Sequence, residues 1–233
     1  MRKLFFLLVL ITSTSFSQKM NYFNYDTFLV NYVTDTGIVD YDKIFKNKED
    51  LRKIVAEFEK TKPTIYWSNR ETIAYWINAY NVYSIKIIID NYPVKSIRDI
   101  ADAWNINFIK SNGKLISLDF VDREILKTLN EPRYHFAINC TAYSCPGFKR
   151  QAYDVDKINS QLEDCIINFV NDKTKNDITP KKANLSKIFD WYKDEFTVDQ
   201  TLIQYINKYS TVKIKDDAAI FFQEYDWRLR KVD

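Results

Sequence analysis

Residues 68–93, SNRETIAYWINAYNVYSIKIIIDNYP, decide the fold of this 233-residue chain. Ser68 and Glu71 have the spacing of a capping box, which predicts that a helix begins at this point. The apolar run of residues 73–89 then continues until an Asn-Tyr-Pro sequence ends it. Because this helix is apolar on nearly every side, we expect it to be buried at the centre of the molecule.

The elements on either side of this helix are predicted to be short and of both kinds. Apolar residues recur with helical spacing between Leu51 and Phe58, and Asn112-Gly113 between alternating apolar residues predicts a hairpin. The later patterns predict helices over 118–129, 158–169 and 186–196, and a further helix that begins at a capping box at 197–200. They also predict strands over 134–139, 212–214 and 220–222, and a surface loop over 172–182. The predicted fold class is α+β: a single, mostly helical domain whose central buried helix packs on a small sheet containing a hairpin.

Composition excludes several classes of protein. With only three glycines, the chain has no phosphate-binding loop of the Walker or dinucleotide type. One histidine and three cysteines leave no conventional zinc site, so we expect no metal and no cofactor. A formal net charge of +3 gives no reason to expect nucleic acid as a partner. A hydrophobic content of 46% excludes a largely disordered chain.

The first 17 residues have the pattern of a secretory signal peptide. Arg2 and Lys3 precede an uninterrupted apolar run at 4–11, and small residues precede the predicted cleavage point. That run is too short for a transmembrane anchor, which needs about 20 apolar residues. We therefore expect residues 18–233 to be an exported domain, periplasmic or extracellular, and removal of the two basic residues lowers the net charge from +3 to +1.

Residues 133–146, RYHFAINCTAYSCP, hold the only histidine and two of the three cysteines. In one interpretation Cys140 is a thiol nucleophile and His135 its base. A strand over these residues argues against a direct pair, because it would hold their Cα atoms roughly 16 Å apart at about 3.3 Å per residue and on opposite faces. In the other interpretation Cys140 and Cys145 form a disulfide, which an oxidising compartment favours.

Polar residues on the central helix form a second group of candidates. Asn78 and Asn81 are three residues apart, so they share one face of the buried helix, where each amide must find hydrogen-bond partners. They either line a cleft, with Asn78 as a donor to an oxyanion, or tie a neighbouring loop to the helix. Trp76 and Arg133, in the same two segments, are further candidates for binding a ligand.

The predicted helix over 118–129 is rich in acidic residues and offers carboxylates for general acid–base work. Charges at this density are more typical of a solvated face. The many aromatic side chains offer a platform for a sugar or a peptide, although most of them must belong to the core.

Together these segments resemble the uncharacterised family called domain of unknown function 547. In chain order, the matching segments are AYWINAYN (74–81), LD (118–119), RYHFAIN followed by Cys140 (133–140), SCP (144–146), LSKIFDWY (185–192) and YDW (225–227). The resemblance implies a shape and a set of candidate positions but no established activity. Members of the family often carry a Glu-His pair where this chain has Asp122 and Arg123.

Two functions of different classes remain open from the sequence. The first is an exported thiol-dependent hydrolase or acyl transferase, with Cys140 as nucleophile, His135 as base and Asn78 as oxyanion donor or orienting group. The alternative is a non-catalytic binding module of the cell envelope, with a structural Cys140–Cys145 disulfide and an aromatic groove that holds a peptide or glycan.

Overall fold

The central helix, α4 (Asn69–Asp90), is buried along most of its length in the computed structural model, which describes residues 20–232. The Ser68 hydroxyl accepts from the backbone N–H of Glu71, and the Glu71 carboxylate accepts from that of Ser68 at 2.8 Å. These reciprocal bonds form the predicted capping box and satisfy two backbone donors that a helix start leaves unpaired. The predicted signal peptide, residues 1–17, lies outside the described residues.

Eight further α-helices lie within residues 20–232. They are α1 (Phe23–Tyr32), α2 (Tyr41–Lys46), α3 (Lys48–Lys60), α5 (Leu118–Phe120), α6 (Ile158–Asn171), α7 (Ile188–Trp191), α8 (Lys193–Phe196) and α9 (Leu202–Asn207). The helices α2, α3, α5 and α6 pack against α4. The chain after α5 continues directly into a π-helical segment, Val121–Leu126, and a 3-10 turn, Lys127–Leu129.

Two small sheets complete the fold. The first is the predicted hairpin, β1 (Ile109–Ser111) and β2 (Lys114–Ile116), and the second contains β3 (Asp177–Ile178), β4 (Lys182–Leu185) and β5 (Ala219–Phe222). Asn112 and Gly113 both have positive φ, at 48° and 78°, as the turn of a tight hairpin requires. Tyr83 of α4 packs edge-on against Phe108, directly before β1. The mostly helical α+β class is confirmed.

The predicted strand over 134–139 is wrong, because the chain forms a 3-10 helix at Pro132–Phe136. Proline stands in the first turn of this helix, where its fixed φ suits a helical start. Tyr134, His135 and Phe136 are all buried. In a half-buried strand every second side chain faces the solvent, and this segment has no such exposed side. The expected separation of His135 from Cys140 on an extended chain therefore does not apply.

Other predicted elements differ in their limits. No strand forms over 212–214, and β3 lies within the predicted surface loop at 172–182. The helix predicted over 186–196 is divided into α7 and α8 at Tyr192. The last capping box begins at Thr201 rather than at Thr197.

A C-terminal segment, residues 225–232, connects distant parts of the chain. Single β-bridges join Arg228 to Ser96, Leu229 to Ala142 and Lys231 to Val39. This segment consequently lies beside the cysteine-containing turn. Within residues 20–232, no helix has both the length and the apolar character that are needed to cross a membrane.

Candidate functional site

A cleft of about 600 Å³ opens between distant parts of the chain. Most of its lining comes from the π-helical segment, the 3-10 helix at Pro132–Phe136, the helices α7 and α8, and the C-terminal segment. The central helix contributes Tyr80. The size lies within the range of small-molecule sites, roughly 300–1,000 Å³.

One wall of the cleft is aromatic. The rings of Trp191 and Trp227 are stacked, with centroids 5.7 Å apart and planes 28° apart. Tyr225 lies 4.7 Å from Trp191, and Trp104 meets Trp227 edge-on. Trp191 is 45% exposed, so this wall offers ring surface to a ligand.

His135 lies in the cleft lining beside Glu195 of α8. The ring is almost completely buried and stacks on Tyr192, with centroids 3.6 Å apart. Its Nε2 lies 3.0 Å from a carboxylate oxygen of Glu195. Burial by itself raises the pKa of Glu195, but the hydrogen bond and charge of His135, together with Lys127, outweigh it and hold that pKa below its usual value.

Asp122 is the second carboxylate of interest in the lining, and it comes from the π-helical segment. Its side chain accepts from the Tyr134 hydroxyl at 2.7 Å and, more weakly, from the Tyr192 hydroxyl at 3.4 Å. The residue is only 8% exposed. Burial raises the pKa of Asp122, against the opposing effects of His135 and Tyr134.

Cys140 and Cys145 form a disulfide, and Cys140 lines the cleft. The predicted disulfide is confirmed, and Cys140 has no free thiol to act as a nucleophile in this state. The Tyr225 hydroxyl lies 3.2 Å from the sulfur of Cys140 and 3.3 Å from that of Cys145. Cys165 is a free, buried cysteine, and burial raises the pKa of its thiol, which disfavours the thiolate form.

The two asparagines of α4 bind backbone and lie outside the cleft lining. The Asn78 amide donates to the carbonyl of Tyr153 at 2.8 Å and accepts from its N–H at 2.9 Å. The Asn81 amide donates to the carbonyl of Ala137 at 3.0 Å and accepts from the N–H of Asn139 at 2.8 Å. Both side chains tie neighbouring chain to the central helix, so neither amide is left to stabilise an oxyanion.

The remaining binding candidates also lie outside the lining. Trp76 is buried and packs edge-on against Tyr75. Arg133 pairs with Glu131 and Glu163, which engage its guanidinium. Of the residues singled out from the sequence as catalytic or binding candidates, the cleft therefore brings together His135 and Cys140.

The sequence analysis considered the acidic stretch over 118–129 without selecting a carboxylate in it, and it missed Glu195. Asp122 stands in the acidic stretch and is buried, whereas Asp119, which also lines the cleft, pairs with Arg123 closer to the solvent. Glu195 carries no signal in the sequence. The aromatic wall, however, comes from the LSKIFDWY and YDW segments, so Trp191 and Trp227 could have been singled out.

Comparison with known proteins gave one family. The family model described as "Protein of unknown function, DUF547" matches residues 65–170. The search of curated proteins and the search of solved structures gave no match. The matched range contains four of the segments on which the resemblance was based, AYWINAYN, LD, RYHFAIN with Cys140, and SCP, whereas LSKIFDWY and YDW lie beyond it. The resemblance to the DUF547 family of proteins of unknown function is therefore confirmed for residues 65–170.

Proposed function

We propose that this protein is exported and that its cleft binds a carbohydrate chain of the cell envelope. The observation that carries the proposal is the aromatic wall of Trp191, Tyr225 and Trp227, which faces a cleft that also holds carboxylates. Sugar rings have an apolar face that packs on aromatic side chains and hydroxyl groups that donate to carboxylates. A cleft with both features suits such a ligand.

Two features support export. The pattern of residues 1–17 is typical of a signal peptide. The Cys140–Cys145 disulfide is of the kind that persists in oxidising compartments and is rare in the cytosol. Fusing residues 1–17 to a reporter enzyme that is active only after export tests this part, and a reporter that stays in the cytoplasm contradicts it.

The binding proposal is tested by titrating oligosaccharides of β-linked N-acetylglucosamine and β-linked glucose, and soluble cell-wall glycan fragments, into the protein in a calorimeter. Trp191→Ala and Trp227→Ala should each weaken binding about tenfold, since a tenfold change corresponds to about 1.4 kcal/mol and an aromatic contact contributes about 0.5–1.5 kcal/mol. Tyr66→Ala is the matched control, because Tyr66 is 88% exposed and lies outside the cleft lining.

Binding of none of these glycans, or equal binding by the tryptophan variants and the wild type, contradicts the proposal. Binding of unstructured peptides in place of glycans also contradicts it, because that result assigns the aromatic wall to a peptide.

A thiol-dependent hydrolase or acyl transferase is the second candidate, and the observation in its favour is that Cys140 and His135 line the same cleft. This function requires reduction of the disulfide, because a sulfur bonded to another sulfur is not a nucleophile toward an acyl group.

Iodoacetamide labelling before and after mild reduction tests the thiol-dependent function, with Cys165 as the internal comparison. Ester hydrolysis that appears on reduction and disappears in Cys140→Ser favours the thiol enzyme. Labelling of Cys140 no faster than that of Cys165 in unfolded protein excludes it.

A further inference from the structure

We propose that the cleft also hydrolyses the glycosidic bond of the carbohydrate it binds, with Asp122 as the proton donor and Glu195 as the base that activates water. This inference rests on the proposed carbohydrate binding and adds a reaction to it. It assigns catalytic roles to two residues that sequence analysis did not select.

Three neighbouring rings, of which His135 and Tyr192 are stacked, bind both carboxylates. The His135 ring lies between Tyr134, at 4.0 Å, and Tyr192, at 3.6 Å between centroids. The hydroxyls of the two outer tyrosines donate to Asp122, while the nitrogen of the middle ring contacts Glu195. The two carboxylates are therefore held by one cluster of rings, although they come from distant segments of the chain.

The surroundings of Asp122 suit a proton donor. One carboxylate oxygen is held by the Tyr134 hydroxyl at 2.7 Å, and the other has only the 3.4 Å contact from Tyr192. The weakly engaged oxygen is the one that can carry a proton toward a ligand in the cleft. Burial, which raises the pKa of Asp122, favours the protonated form that this role needs.

The surroundings of Glu195 suit the opposite role. An ionised carboxylate can only accept, so Nε2 of His135 carries the hydrogen of their 3.0 Å contact. Nδ1 of this buried ring has no hydrogen-bond partner within residues 20–232, so the contact with Glu195 is the ring's one side-chain hydrogen bond there. His135 and Lys127 favour the ionised form of Glu195, which is the form a base requires.

The reaction balances without any further reagent. Asp122 gives its proton to the glycosidic oxygen as the bond from that oxygen to the anomeric carbon breaks. Water bonds to the anomeric carbon and loses a proton to Glu195. One bond is hydrolysed, one water is consumed, and exchange with solvent restores the proton to Asp122 and removes it from Glu195. Two carboxyl groups whose surroundings push their pKa values apart are the usual equipment for this chemistry.

The test measures the release of reducing ends from the oligosaccharide that binds best and the release of nitrophenol from its nitrophenyl glycoside. Asp122→Asn should lower the first rate at least 100-fold and the second rate much less, because nitrophenolate leaves without a proton. Glu195→Gln should lower both rates at least 100-fold. Asp50→Asn is the matched control: Asp50 accepts from the Tyr32 hydroxyl at 2.7 Å, as Asp122 does from Tyr134, but lies outside this cleft.

His135 is a positioning residue in this scheme, and His135→Phe tests that role. Phenylalanine keeps a ring in the stack but removes the hydrogen bond that lowers the pKa of Glu195. The acidic limb of the kcat/KM profile should therefore move to higher pH. A merely structural role for His135 would lower the amount of folded enzyme and leave that limb in place.

The outcomes separate the two proposals. If the wild type binds the oligosaccharides but releases no reducing ends, hydrolysis is contradicted and carbohydrate binding stands. If it binds none of them, the proposed carbohydrate binding is contradicted, and hydrolysis with it. If Asp122→Asn melts like the wild type and hydrolyses both substrates at the wild-type rate, the assignment of the proton donor is overturned.

Discussion

The two asparagines of α4 act as substitutes for backbone. Each uses one N–H and its carbonyl oxygen on nearby main chain: Asn78 on Tyr153, and Asn81 on Ala137 and Asn139. A primary amide is the side chain that can copy a peptide group in this way. From the most buried helix, the two side chains thus hold the segments around Ala137 and Tyr153 in place.

We expect Asn78→Ala to lower the free energy of unfolding by about 2–4 kcal/mol, because it leaves a buried N–H and a buried carbonyl of Tyr153 without partners. Urea denaturation followed by circular dichroism measures the change. Asn24→Ala is the control, since that amide bonds to Glu57 at the surface. Equal losses in the two variants would argue against this role for Asn78.

Burial of Asp122 predicts a pH dependence of stability. Because the folded protein holds the proton of Asp122 more tightly than the unfolded chain does, the free energy of unfolding falls as pH rises from 3.8 through the raised pKa. Asp122→Asn removes this titration, so the variant should gain stability relative to the wild type across that window, by about 1.4 kcal/mol per unit of pKa difference. Urea denaturation below and above the window measures it.

Asp226 gives a control of opposite sign. Its hydrogen bond with Arg228 lowers its pKa, so the stability it contributes is present above its ordinary pKa and is lost as pH falls through the lowered value. Asp226→Asn should therefore lose stability relative to the wild type as pH rises. The same direction of change in both variants would contradict the burial argument for Asp122.

Among the elements, the turn closed by Cys140 and Cys145 joins the cleft to the C-terminal segment. The backbone of Tyr143 bonds to Arg228 and that of Ser144 to Asp226, directly beside the disulfide. Tyr225, in the same segment, places its hydroxyl on both sulfurs and its ring in the aromatic wall. The disulfide therefore supports one wall of the cleft.

Replacing both Cys140 and Cys145 by serine should lower the free energy of unfolding by about 2 kcal/mol, the amount expected for a short closed loop. Thermal melts with and without reductant measure it. Reductant should destabilise the wild type and leave the double variant unchanged. If the double variant melts at the wild-type temperature, the disulfide has no part in stabilising the fold.

For the whole molecule, the family-matched range is only part of the folding unit. The helices α2 and α3 pack on α4 from before residue 65, and Phe136 packs between Phe169 and two later rings, Phe189 and Phe196. Trp191, Glu195 and Trp227 of the cleft also lie beyond residue 170.

A fragment of residues 65–170 should consequently fail to fold cooperatively, because it exposes the faces of α4 and Phe136 that other segments bury. Circular dichroism melts and binding of a hydrophobic dye compare it with residues 20–232. A sharp melt of the fragment without dye binding would contradict this expectation.

Local patterns predicted the elements whose cause is local. The capping box at Ser68, the apolar run of α4 and the Asn-Gly turn of the first hairpin all depend on residues within a few positions of each other. The predicted strand at 134–139 failed for the opposite reason. Its run of apolar residues fits a strand. Aromatic residues that are distant in sequence, such as Phe189, surround the segment, and because its side chains are buried on several sides it can form a 3-10 turn instead.

By itself, the sequence determined the buried central helix, the α+β class and the candidate disulfide pair, because each follows from spacing along the chain or from composition. Its motifs also carry the resemblance to the DUF547 family. The tertiary structure alone decided which polar side chains share the cleft. Asn78 and Asn81 bind backbone groups. Asp122 and Glu195, in contrast, bind the ring cluster that contains His135, and Glu195 is 60 residues from His135 along the chain. Such long-range contacts arise when packing brings distant segments together, and no local pattern encodes them.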